Sequence, residues 1–150
     1  MKRNIILSAA FCAVTAISMA TFTACTIEAS GNGDLDGFWH LTQIDTLSTG
    51  CSADKSEELL FWAVQADLLN VVDRRIGSDY LMRFDKSGTT LRVYEPYGND
   101  RMSGDIKVED PLELAPLGIN ALDETFIIEN LSSSKMTLND GFLRLSFVKM

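Results

Sequence analysis

Leu143-Arg144-Leu145-Ser146-Phe147-Val148-Lys149 decides how this chain folds. Leu143, Leu145, Phe147 and Lys149 share one face of an extended segment, and Arg144, Ser146 and Val148 share the other. A period of two marks a strand with one side against a core. The alternation recurs upstream. Met136 and Leu138 oppose Lys135 and Thr137, and Phe126 and Ile128 oppose Ile127 and Glu129. Leu91 and Val93 oppose Arg92 and Tyr94, and Tyr80, Met82 and Phe84 oppose Leu81 and Arg83. Turn residues separate the runs at Asp85-Lys86-Ser87-Gly88, Ser132-Ser133-Ser134 and Asn139-Asp140-Gly141, with glycine where a positive φ is needed.

Toward the N-terminus, Gly37 to Asp45 opens the domain, and Asp105 to Val108 is a further short strand. Leu59 to Asp73 is a long apolar run that periodicity alone does not assign. Ser56-Glu57-Glu58 would start a helix there and Arg74-Arg75 would end it against the dipole. Read as a strand, Leu60, Trp62, Val64, Ala66, Leu68 and Val72 form an apolar face broken by Asn70, and this reading is preferred. One short helix is predicted where Asp110 caps, Pro111 takes the first position, Glu113 the third, and Gly118 stops the turn. Many short one-sided strands joined in sequence predict an all-β fold. The architecture is an antiparallel up-and-down barrel of about eight strands with one short helix, in which closure removes exposed edges.

Lys2 and Arg3 precede an apolar stretch from Ile5 to Ala20, followed by Thr23-Ala24-Cys25. That pattern reads as a cleaved signal peptide over residues 1–24. Ser8, Thr15, Ser18, Thr21 and Thr23 interrupt the run, which argues against a membrane-spanning helix. Phe22-Thr23-Ala24-Cys25 resembles the lipobox of bacterial lipoproteins, with Phe where Leu is commoner. The resemblance implies acylation of Cys25, a lipidated tether over 25–34, and a folded domain over 35–150. The address it implies is the outer membrane of a bacterial cell envelope, at the periplasmic face or the cell surface. Acyl chains anchor through about 0.8 kcal/mol per buried methylene.

The 150-residue chain carries a formal charge of −8, and its leader holds two basic residues and no acidic one. The remainder is therefore more acidic still, which argues against nucleic acid as a partner. Of three cysteines, Cys12 leaves with the leader and Cys25 is modified, so Cys51 has no partner for a disulfide.

Leu35-Asp36-Gly37-Phe38-Trp39 resembles the Leu-x-Gly-x-Trp opening of lipocalin-type barrels. In that family the Trp seals the closed end and a basic residue late in the last strand packs across it. The resemblance gives Gly37, Trp39 and Lys149 this structural role, and the strand phases bring Trp39 and Lys149 together when the first and last strands pair. A cation over an indole contributes roughly 0.5–2 kcal/mol. The stretch from Phe126-Ile127-Ile128 through Lys135-Met136-Thr137-Leu138 to Lys149 is similar to the last strands of lipocalin-like lipoproteins of Bacteroidetes, a family without an assigned function.

No catalytic constellation emerges. His40 is the only histidine and lies opposite Trp39 in phase, facing outward. Neither a triad nor a His/Cys metal cluster can be built around it. Asn32-Gly33-Asp34-Leu35-Asp36-Gly37 looks like half of an EF-hand loop, but the twelfth position is Gln43 and the segment runs into the first strand. The acidic pairs Glu57-Glu58, Glu109-Asp110 and Asp123-Glu124 read as solvated charge. The chain is therefore expected to be no enzyme and to use neither cofactor nor metal. Small barrels either fill with side chains or keep one cavity. The first expectation is a small, partly apolar ligand held inside by Trp62, Tyr80, Met82, Leu91 and Met136. The alternative is a solid barrel that docks an envelope protein through exposed aromatics such as Tyr94 and Tyr97.

Overall fold

The computed structural model describes residues 30–150. The signal peptide and residues 25–29 of the tether, Cys25 among them, lie outside the described residues. The strands are β1 (Gly37–Thr46), β2 (Cys51–Asp54), β3 (Leu60–Gln65), β4 (Leu68–Asp73), β5 (Ser78–Ser87), β6 (Thr90–Gly98), β7 (Ile106–Lys107), β8 (Asp123–Leu131), β9 (Lys135–Asn139) and β10 (Leu143–Lys149). Eight of them close an antiparallel barrel in the order β1-β3-β4-β5-β6-β8-β9-β10, with β10 returning to β1. β2 and β7 are short additions, β2 on the second half of β1 and β7 on the end of β6.

The alternating residues explain the wall. Leu143, Leu145 and Phe147 of β10 face inward, as do Met136 and Leu138 of β9 and Leu91 and Val93 of β6. They meet Trp39, Leu41, Trp62, Val64, Leu69, Val71, Met82, Phe84 and Phe126 in one buried cluster. Roughly 25 cal/mol per Å² of buried apolar surface makes this cluster the main source of stability.

Two local readings of the sequence are corrected. The run from Leu59 to Asp73 is β-structure, but it is a hairpin rather than one strand. Gln65 pairs with Leu68, and the chain reverses over Ala66-Asp67. The turn shifts the phase, so Leu60, Trp62 and Val64 are buried before it and Leu69, Val71 and Asp73 after it, while Leu68 is exposed. Ala66 sits at φ 54, a left-handed position alanine seldom takes, so no residue of the run signals a turn. The predicted helix is two 3-10 turns, Pro111–Glu113 and Ala115–Leu117. Asp110 caps as expected, its carboxylate accepting from Leu112 N, and Gly118 ends the segment at φ 88. Pro116 has no N–H for an α-helical bond, so the coil cannot continue past one turn.

The β5–β6 hairpin is also tighter than its turn residues suggested. Ser87 pairs with Thr90, so Asp85, Lys86 and Ser87 belong to β5 and Gly88, at φ 56, carries the reversal.

Both ends of the barrel are filled. Where β1 begins and β10 finishes, Leu35 is fully buried and its carbonyl accepts the Trp39 indole N–H at 2.8 Å. Residues 30–34, read as tether, lie against this end. Asn32 Nδ2 donates to Ala66 O at 2.6 Å and to Asp36 Oδ1 at 2.8 Å, and Ser30 Oγ bonds Asp36. At the opposite end the 3-10 segment folds across the opening and buries Leu114, Leu117 and Ile119 in the core cluster.

Candidate functional site

The residues expected to line a cavity are inside the barrel, where they pack against one another and against the 3-10 segment. Trp62 is 1 % exposed, Met82 1 %, Leu91 2 % and Met136 1 %. The Trp62 ring meets Phe126 edge-on, with centroids 5.9 Å apart, and Phe147 at 5.0 Å. Its indole N–H donates to Leu117 O at 3.1 Å, tying the 3-10 segment to β3. Tyr80 is half-buried at the same end. Its burial, and next the charge of the Glu113 carboxylate, hold the phenol above its usual titration range. Eight-stranded barrels have interiors just wide enough for side chains to fill, and here aromatic and Leu side chains pack together inside the ring.

At the other end Lys149 Nζ lies 4.6 Å from the Trp39 ring centroid and donates to Asp34 O and Asp36 O, both at 2.8 Å. Trp39 and Lys149 are register partners across β1 and β10. Gly37, at φ 129, leaves room for the lysine, since a Cβ there would stand 3.2 Å from Lys149 Cε.

The acidic pairs are not all solvated charge. Glu58 forms ion pairs with Lys55 and Arg75, each at 2.9 Å, and Asp123 takes Arg92 in a two-bond clasp at 2.8 and 2.5 Å. Glu124 corrects the expectation outright. It turns toward the barrel end, accepts from Asn120 N at 2.7 Å, and faces Asp140 of the β9–β10 turn. Burial, then the Asp140 carboxyl, push its pKa up to about 7. Asp140 moves the other way: burial would raise it, but N–H groups of Leu143 and Phe142 and the Glu124 and Asn120 side chains hold it low. Adjacency in sequence to Asp123, which points outward to Arg92, hid this pair.

The clearest surface recess lies on the outer wall. Between β5 and β6 the register slips: Leu81 pairs with Tyr97, but Arg83 pairs with Tyr94. Glu95, at φ 53, and Pro96, whose carbonyl accepts Val108 N at 2.9 Å, together stand opposite the single residue Met82, one residue more than the ladder holds. Such a bulge bends its strand and disrupts the ladder. Beside it is a cleft of about 370 Å³ lined by Leu68, Leu81, Met82, Arg83, Glu95, Tyr97 and Asp105, within the size range of small-ligand sites. Arg83 is already engaged, donating to Asp67 Oδ2 at 2.8 Å and lying 4.0 Å from Glu95.

The two tyrosines expected as docking aromatics differ. Tyr94 is covered by the Arg92 guanidinium, 4.5 Å from its centroid. Tyr97 stands in the cleft. His40 Nε2 donates to Glu58 O at 2.7 Å and stands 5.0 Å from the Phe61 ring, on the outer wall. Cys51 is exposed at the start of β2. Among the described residues no three His, Cys, Asp or Glu side chains are grouped to hold a metal ion.

A family model described as a lipocalin-like domain matches residues 20–150. No curated protein matches the chain. Among solved structures, a lipocalin-like protein from Bacteroides uniformis is similar with a TM-score of 0.60 and 21% identity, over 79% of this chain and 100% of that one. An uncharacterized protein from Bacteroides eggerthii is similar with a TM-score of 0.52 and 16% identity, over 77% of this chain and 98% of that one. At these identities the likeness shows the fold.

Proposed function

We propose that this chain, which belongs to the lipocalin-like domain family, is a non-catalytic interaction module whose solid barrel binds a partner protein on its outer wall. Acyl chains on Cys25 hold it at the outer membrane of a bacterial envelope. One observation carries the reading: Trp62, Met82, Leu91 and Met136 are buried in the same cluster as Leu114, Leu117 and Ile119, so side chains occupy the space a ligand would need. Crosslinking in cells tests it. A photoreactive residue in place of Tyr97 captures a specific envelope protein; loss of that product on competing with unlabelled full chain marks it as specific, and uniform background labelling overturns the reading. The anchor is tested by feeding an alkyne fatty acid: the parent is labelled and sediments with membranes, and Cys25→Ser is neither labelled nor sedimented.

A second reading keeps the interior as a site for a small, partly apolar ligand. It is favoured by the irregular 3-10 segment that covers one end, tied to the wall by the Trp62–Leu117 bond and, just beyond it, by Asn120 N to Glu124. A ligand would enter by displacing it. Native mass spectrometry of the full chain from its own membranes separates the two: a ligand-free mass supports the solid barrel, and a retained apolar adduct supports the second reading.

A further inference from the structure

We propose that the cleft beside the β6 bulge receives a cationic side chain, lysine or arginine, from the partner protein, with its alkyl stem on Leu68 and Leu81 and its charge between Tyr97, Glu95 and Asp105. The inference rests on the outer-wall reading above and names the chemistry of that site.

The molecule contains the same arrangement already completed. On the neighbouring part of β6, Arg92 lies over the Tyr94 ring at 4.5 Å and between two carboxylates, Asp123 at 2.5 Å and Asp85 at 3.7 Å. A ring face and a pair of acids on one sheet surface hold a cation by quadrupole and charge together. Further along the strand, Tyr97 has Glu95 and Asp105 beside it in the cleft; its register partner is Lys107 of β7, which among the described residues forms no ion pair. Arg83, the one basic side chain lining the cleft, is turned to Asp67 at 2.8 Å and approaches Glu95 only at 4.0 Å. Among the described residues, Asp105 makes no ion pair and the Tyr97 hydroxyl no hydrogen bond.

The cleft also fits the shape of such a side chain. Leu68 is 40 % exposed on the outer wall, and Leu81 is half-buried beside it. Long cationic side chains lay their methylenes on apolar surface and keep the charge at a polar rim. The acidic balance of the whole chain favours encounter with a basic partner. The Glu95 backbone sits at φ 53, a left-handed conformation that non-glycine residues seldom take.

The test is a titration of the full chain in detergent with the peptide acetyl-Leu-Lys-Leu-Lys-amide, read by calorimetry and by NMR of the tyrosine rings. Saturable binding that weakens with salt and shifts the Tyr97 ring rather than the Tyr94 ring is expected. The Glu95→Gln, Asp105→Asn double variant should weaken it at least tenfold. Glu57→Gln with Glu109→Gln, which removes the same charge elsewhere, should leave it within twofold. Equal weakening by both double variants, equal affinity for spermidine, or no shift at Tyr97 overturns the proposal. If Tyr97 captures a partner in cells but Glu95→Gln with Asp105→Asn leaves capture unchanged, the cationic side chain is rejected while the outer-wall function stands.

Discussion

Ala66 shows how one residue can misdirect a sequence reading and yet hold a turn. Its φ of 54 belongs to glycine or asparagine, and nothing in the apolar run around it announces a reversal. What fixes the turn is partly remote: Asn32 Nδ2 reaches the Ala66 carbonyl from the segment ahead of the barrel. Replacing alanine with glycine at a left-handed position removes strain, so Ala66→Gly is expected to stabilise the domain by about 0.5–1 kcal/mol. A thermal melt checks this; a lower midpoint than the parent would mean the turn is not under strain. Lys149 makes the converse case. Its ammonium satisfies two carbonyls and covers an indole. Lys149→Met retains the stem and loses those terms, an expected cost of about 1–3 kcal/mol. An unchanged denaturant midpoint would remove the ammonium from any account of this end of the barrel.

At the scale of elements, the end segment and its neighbours combine what the sequence announces with what it hides. Asp110, Pro111 and Gly118 mark its limits correctly, because capping and left-handed stops are local. Its coil type turned on Pro116, and its partners are distant: Trp62 for Leu117 O, and Glu124 for Asn120 N. The Glu124–Asp140 pair was illegible because it joins β8 to the β9–β10 turn, whereas the neighbouring Asp123 faces Arg92. The pair sets a sign for pH dependence. Glu124 titrates higher in the fold than in the unfolded chain, near 7 against 4.5, so its stabilisation is complete below about pH 4.5 and is lost as pH rises toward 7. The remaining shifted carboxylates, Asp45, Asp54, Asp73, Asp100, Asp123, Glu129 and Asp140, are all held low. Their contributions are present above the ordinary carboxylate range and are lost only as pH falls through it. A fall in melting temperature between pH 5 and pH 8 is therefore expected from Glu124, and Glu124→Gln should flatten it; an equally steep profile in that variant would refute the assignment.

For the whole molecule, closure was readable and content was not. The phases of the first and last strands put Trp39 beside Lys149 because a period of two admits one facing side, and a sheet whose ends pair must close. Nothing in that argument says whether inward side chains meet. The answer depends on the size of Trp62, Phe126 and Phe147 against the radius of the ring, and on Leu114, Leu117 and Ile119 arriving from a segment outside it. The outer cleft was equally hidden, since a bulge at Glu95-Pro96 leaves the alternation on either side intact. The difference between a solid barrel and one with a removable stopper is a difference in local opening, and amide exchange measures it. β2 is four residues long and exposed throughout, and β7 is two residues long and exposed, so both should exchange early. The amides of Leu117 and Ile119 bond to Leu114 O at 2.9 and 3.3 Å beneath buried side chains. If the interior is a core, these amides open only when the ring opens, and their protection should match that of β1 and β10. Exchange faster by two orders of magnitude or more would mean that the segment leaves while the ring persists, and the interior would then be a binding site after all.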